Sequence, residues 1–117
     1  METWEVLFDP EFELEFESFS ITVQDEIYAN LVALQELGPM MGRPRVDTLN
    51  GSEYSRMKEL RFAADGGIWR LLFAFDPARQ AILLVAGDKR GKNQSKFYKR
   101  LISIADSRFK KHLLKQE

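Results

Sequence analysis

The chain has 117 residues, 44% of them apolar, fourteen aromatic and none cysteine: enough for one domain with a hydrophobic core, and too apolar for a disordered chain. Disulfides and thiolate metal sites are excluded, no apolar run approaches the roughly 20 residues of a membrane span, and the first nine residues are acidic where a secretory leader is basic. The expectation is a single domain, residues 1–117, working in the cytoplasm. The net charge of −1 hides a division, because residues 1–42 hold ten acids and no Lys or Arg while residues 43–117 hold all 17 cations against eight acids. Two explanations stand level: a polyanionic partner for the basic half, or the two halves neutralising each other within the fold.

In chain order, residues 3–9 read as a short strand. Asp9 is placed as an N-cap and Pro10 suits a first helical position. Residues 11–17 alternate acid with apolar, which is a strand pattern, but Phe12, Phe16 and Phe19 fall at i, i+4 and i+7 and favour a helix. Thr22 with Asp25 approximates a capping box for a second helix. Its stripe of Ile27, Tyr28, Leu31, Val32, Leu34 and Leu37 is expected to face the core, with Gly38-Pro39 as the stop. Residues 40–55 show little periodicity and read as a loop, and a loop of that length is often functional. Three strands follow at 57–63, 68–75 and 81–87, separated by Asp65-Gly66-Gly67 and Asp76-Pro77. A basic loop, 88–92, leads to a final basic helix at 95–114 with Phe97, Leu101, Ile104 or Ala105, and Phe109 on its apolar side. The order is β-α-α-β-β-β-α, an α+β fold with a small antiparallel sheet and packed helices. The partner of the first strand is not derivable.

Strand parity locates the candidate chemistry. If Asp65-Gly66 is a type I′ turn, Ala64 pairs with Gly67 and Arg61 lies opposite Arg70. One face then carries Met57, Glu59, Arg61, Arg70, Leu72 and Ala74. The other carries Leu60, Phe62, Trp69, Leu71, Phe73 and Phe75 and is the expected core. Two arginines side by side repel and require a shared counter-ion. Either Glu59 supplies it, as a structural ion pair, or a phosphate does, matched to the arginine forks. With a four-residue loop at 77–80, Asp76 pairs with Ala81 and Arg70 comes opposite Gly87, so the basic loop leaves the sheet beside the arginines. His112, the only histidine, is expected to shield an apolar face, and no metal-ligand spacing or Ser/His/Asp arrangement is present.

At these residues the chain resembles the RelE/HigB family of bacterial toxins, in the phage-related HigB-like branch of the RelE/ParE superfamily. The resemblance rests on GPMMGRP, VDTLNGSEYSRMKELRF, GGIWRLLFAFDP and AILLVAGDKRGK, in the same element order over nearly the whole chain. It implies the toxin of a type II toxin–antitoxin system: a ribosome-dependent mRNA endoribonuclease that cuts codons in the A site by 2′-hydroxyl attack on phosphate. It also implies a helix-turn-helix antitoxin of the HigA type, and neither metal nor cofactor. By position, Arg70 matches the family arginine after the β-turn, Lys89, Arg90 and Lys92 the basic cluster after the last strand, and Arg61 a basic strand position. Tyr98 stands near a helix tyrosine of some members. Where some relatives carry a catalytic lysine on the first hairpin strand, this chain has Glu59, which would act as general base or pair with Arg61. Arg43, Arg45, Lys58, Lys96, Lys99 and Arg100 are candidate contacts to the RNA backbone, the helix cations among them also fitting a solvated face. Two other readings remain open: a gyrase-directed toxin of the ParE type, and a non-catalytic, phage-derived module binding RNA or protein by charge.

Overall fold

Asp9 and Pro10 make the first chain reversal. The structure, a computed structural model, describes residues 3–116. Strand β1 (Glu5–Phe8) ends at Asp9, whose carboxylate accepts the Glu11 and Phe12 amides and starts helix α1 (Pro10–Glu17). The helical period of Phe12 and Phe16 prevails over the alternation, and both rings are buried. Helix α2 (Ile21–Leu37) begins earlier than the Thr22–Asp25 pattern suggests: Ser20 is the N-cap, its hydroxyl accepting from the Val23 amide. At the far end Gly38 takes a φ of +53° with the Trp4 indole against it, so a side chain there would clash.

Two expectations about this region are corrected. The α2 stripe is wider than one buried face. Val23, Ile27 and Leu34 are buried and Leu31 packs beside them, but Tyr28, Val32 and Leu37 are exposed. The segment 40–55 is not only loop: after a 3-10 turn (Gly38–Met40), strand β2 (Val46–Thr48) pairs antiparallel with β3 (Met57–Ala64). With Val46 as its sole buried residue, a three-residue edge strand leaves almost no periodicity to detect.

Strands β4 (Gly67–Phe75) and β5 (Gln80–Asp88) complete a five-stranded sheet in the order β1-β5-β4-β3-β2. The four later strands are antiparallel to their neighbours, and β1 adds to β5 in parallel, the crossover running through the intervening elements. The β3–β4 register is the expected one, with Ala64 opposite Gly67 and Arg61 opposite Arg70. Asp65 and Gly66 both have positive φ, as a type I′ turn requires. The second turn is one residue shorter than expected. Asp76 bonds Gln80 across Pro77-Ala78-Arg79 and Phe75 pairs with Ala81, while a bulge at Leu72/Phe73 restores the register. Arg70 therefore still faces Gly87.

Both faces of the sheet are covered. Leu60, Phe62, Leu71 and Phe73 pack under α1 and α2, whereas Met57, Leu72, Ala74, Ile82 and Leu84 pack under helix α3 (Gln94–Lys115). The face that carries the arginines is thus a second core over most of its area, and not a bare binding floor. Helix α3 brings Phe97, Leu101, Ala105 and Phe109 to it, a stripe at i, i+4, i+8 and i+12. No helix among the described residues is long and apolar enough to cross a membrane.

Candidate active site

The second core ends where the strands turn polar. Beyond Met57 and Leu72, the α3-facing positions of β3 and β4 are Glu59, Arg61 and Arg70. Gly87 sits opposite Arg70, and the Phe97 ring lies against its bare α-carbon, where a β-carbon would come within 3.1 Å. That close approach seats the first turn of α3 on β5. Asn93 caps the helix by accepting the Lys96 amide. Tyr98, next along the helix, thereby reaches down to the arginines.

Glu59 organises the cluster. Its side chain is 5% exposed, and one oxygen, Oε1, lies 3.2 Å from Arg61 Nε and 3.1 Å from Arg70 Nε, and also accepts the Tyr98 hydroxyl. Arg70 Nε in turn donates to the Tyr98 hydroxyl oxygen at 2.8 Å, and its Nη1 donates to the Ile68 carbonyl at 2.9 Å. Of the two counter-ions weighed for the arginine pair, the carboxylate is therefore in place. It is shared by two guanidinium groups, so the cluster keeps one positive charge. The two arginines differ in access: Arg70 is 11% exposed and Arg61 45%.

Burial pushes the Tyr98 hydroxyl above its ordinary value of 10.0, its hydrogen bond to Glu59 adding to the effect and the one from Arg70 opposing it. Tyr98 therefore carries its proton at neutral pH and is not a phenolate; its hydroxyl donates to Glu59. Arg61 is raised as well, first by its hydrogen bond to Glu59.

The basic loop lies beside this cluster but is braced by local acceptors. Arg90 pairs with Asp88 at 2.9 Å and donates to the Asp65 carbonyl, clasping the β3–β4 turn. Lys92 donates to the Asp88 carbonyl and lies over the Phe97 ring at 5.6 Å. Lys89 reaches Gln94 Oε1. All three stay accessible or partly so. The remaining candidates scatter. Arg43 pairs with Asp47, and Lys58 donates to Thr48 on the opposite side of the sheet from Glu59, as parity requires. Arg45 lies next to Arg61, its carbonyl accepting the Arg61 amide, and the two share a cleft with Glu26 and Asn30. Lys96, Lys99 and Arg100 are exposed on α3, and Lys99 lines a groove with Tyr98.

Three polar centres escaped the sequence reading. Arg108 is buried and makes a two-pronged pair with Glu15, at 2.6 and 2.9 Å, while donating to the Leu84 carbonyl; Asp9 and Glu11 stand within 4 Å. Its pKa is raised first by Glu15. With Lys111 close to Glu11, it realises part of the expected self-neutralisation of the two halves. Its signal was its place eleven residues after Phe97, on the apolar stripe of α3. Asp106 accepts from Ser52 and from the Glu53 amide, tying the 49–56 segment to α3. The buried Asp76 accepts the Ala78 and Gln80 amides and meets His112 and Gln116. His112 also stacks on Phe109, so it does shield an apolar ring. Among the described residues no three His, Asp or Glu side chains converge as a metal site would need.

This geometry sits on a known scaffold. The family described as phage-derived protein Gp49-like matches residues 14–110. The chain belongs to this Gp49-like, HigB-type family. The candidate toxin HigB3 of Mycobacterium tuberculosis is 45% identical over 103 residues, which are 88% of this chain and 88% of HigB3. The candidate toxin HigB2 of the same organism is 47% identical over 92 residues, 78% of this chain but 45% of HigB2, so the chain spans about half of that relative. Escherichia coli toxin RelE, solved free as a double-arginine mutant, superposes with a TM-score of 0.63 at 16% identity, covering 91% of this chain and 97% of RelE. At that identity the likeness establishes a shared fold. It agrees with the α+β architecture, and the HigB relatives agree with the branch to which the motifs were assigned.

Proposed function

We propose that this chain is the toxin of a type II toxin–antitoxin system and cleaves ribosome-bound mRNA, without a metal, at the Glu59–Arg61–Arg70–Tyr98 cluster. The observation that carries the reading is one buried carboxylate holding two arginines and a protonated tyrosine beside a basic loop. Membership of a HigB-type family supports it. In the reaction the 2′-hydroxyl oxygen attacks the adjacent phosphorus, the bond to the 5′-oxygen breaks, and a 2′,3′-cyclic phosphate and a free 5′-hydroxyl remain. The 2′-hydroxyl proton leaves to solvent or a base, and the departing 5′-oxygen takes one up.

Each residue has a role in this scheme. Arg61, the more accessible arginine, meets the phosphate oxygens, whose charge grows as the phosphorus becomes five-coordinate. Arg70, mostly enclosed, fixes Tyr98 and Glu59 and adds its field. Tyr98, protonated at neutral pH, redirects the hydroxyl proton it shares with Glu59 to the leaving oxygen. Glu59 is a positioning residue that sets the angles of all three. Lys89, Arg90 and Lys92 steer the RNA backbone, with Arg43, Arg45, Lys96, Lys99 and Arg100 as outer contacts; Lys58, tied to Thr48 on the far face, has no part in the cleavage. The proposed partners are a HigA-type antitoxin and the ribosome, in the cytoplasm. The purified chain, added to a reconstituted translation system, should yield cut mRNA with cyclic ends, and Arg61→Ala should not. One observation favours a non-catalytic reading: Arg70 is enclosed and already paired with Glu59, the carboxylate it shares with Arg61. In that case RNA would bind with a steep salt dependence and stay whole.

A further inference from the structure

On the other side of the sheet, Tyr28, one of the exposed residues of the α2 stripe, lines a cleft of about 500 Å³ between α1 and α2. Its walls are the Phe8, Phe16 and Tyr28 rings, with Gln24 and the carboxylates of Glu13 and Glu17. The rings form one cluster: Phe16 meets Phe8 at 5.0 Å and Tyr28 at 5.2 Å, both edge to face. Gln24 fixes the cleft in shape by donating to the carbonyls of Phe16, Glu17 and Phe19 at the end of α1. Tyr28 is 50% exposed, and Ile21 (70%) and Val32 (52%) continue the same stripe of α2 at i, i+7 and i+11.

Three properties of the cleft select a cation. Aromatic faces attract one. Glu13 and Glu17 lie on one side of α1, a turn apart, whereas the ion pairs of that helix to Arg108 and Lys111 run through Glu11 and Glu15. The carbonyl end of α1, negative in its dipole, lies beside the cleft, capped by the neutral Gln24 amide and with no basic side chain in its last turn. Residues 1–42 contain no Lys or Arg to fill the role from within the hairpin. An ion alone would leave Ile21 and Val32 uncovered.

We infer that the α1–α2 face is the docking site for a basic amphipathic helix of a partner protein. Its Arg or Lys enters the cleft against Glu13, Glu17 and Tyr28, and its apolar side chains cover Ile21 and Val32. The stripe from Ile21 to Val32 is about 16 Å long, which matches about three turns of a partner helix. The inference concerns the face opposite the Glu59 cluster and stands whether or not RNA is cleaved there.

The test is a titration of the whole isotope-labelled protein with a synthetic helical peptide of about 18 residues, long enough to hold a helix, bearing leucines and arginines on one face. A second peptide has every arginine replaced by glutamine. The expected result is saturable movement of the amide signals of residues 13–32 with the arginine peptide alone. Binding should weaken about fivefold in Glu13→Gln/Glu17→Gln and in Tyr28→Ala, and stay unchanged in Glu53→Gln, an exposed acid elsewhere. All the substituted residues are solvent-exposed, and thermal melts verify that the variants fold. No binding at millimolar peptide, signal movement on another face, equal affinity for the double variant, or equal affinity for free arginine amide would each overturn the inference.

Discussion

Two arginine clusters lie along helix α3, one near each end, and they are built to opposite rules. Arg108 is surrounded by acceptors: both oxygens of Glu15, the Leu84 carbonyl, and the carboxylates of Asp9 and Glu11 nearby. One cation meets a surplus of negative charge, and the result joins α3 to β5 and α1. At the other cluster two cations and a hydroxyl compete for a single carboxylate oxygen of Glu59. The surplus there is positive, and it faces a loop that adds Lys89, Arg90 and Lys92. A cluster with spare acceptors holds a fold together, whereas a cluster with spare donors is ready for an anion. By that difference the Arg108 cluster is structural, and the Glu59 cluster is the one at which cleavage is proposed.

Substitutions can break the contrast, starting with the largest effect. Arg108→Met should lower stability by about 2–4 kcal/mol, because it leaves the Leu84 carbonyl and Asp9 without their cation. Chemical denaturation measures that loss, and RNA cleavage per folded molecule should not change. Arg61→Ala should do the reverse. Cleavage should fall about 100- to 1000-fold, as when a donor to a developing oxyanion is removed, while stability changes by less than about 1 kcal/mol because that ion pair is half exposed.

Tyr98→Phe should reduce cleavage about 100-fold, at the low end for a lost general acid. It should also change the alkaline behaviour. The folded pKa of Tyr98 lies above 10.0, so the unfolded chain loses this proton first and the stability Tyr98 contributes is present below pH 10 and lost as pH rises through the folded value. Denaturation curves against pH should therefore fall more steeply for the wild type than for Tyr98→Phe above pH 10. Smallest of the set, Lys92→Gln should weaken RNA binding only about threefold and make it less sensitive to salt.

How far the sequence discloses these clusters depends on where each signal lies. The arginine pair was legible because a type I′ turn fixes register, and register fixes parity. The Arg70–Gly87 pairing came out right although the second turn is shorter than expected, since the bulge at Leu72/Phe73 cancels the error. Glu59 was visible as a counter-ion, but that one of its oxygens serves Arg61, Arg70 and Tyr98 together depends on how Phe97 seats against Gly87, a contact between distant segments. For the same reason β2 and the parallel pairing of β1 were out of reach. Arg108 was missed because a charged residue on an apolar stripe reads as an interruption until its partners on α1 and β5 are in place. Tyr28 and Val32 lie outside the core although they belong to the apolar stripe, because α2 is apolar over more than one face and hydrophobic spacing alone does not tell a covered side from an uncovered one.

Mapping mRNA ends in a reconstituted translation system, with wild-type protein and with Arg61→Ala of unchanged melting temperature, tests whether the Glu59 cluster cuts RNA. Discrete ribosome-dependent cuts ending in 2′,3′-cyclic phosphate are expected with the wild type, and their loss with the variant. Intact mRNA with the wild type, or equal cutting by both proteins, would contradict cleavage at that cluster.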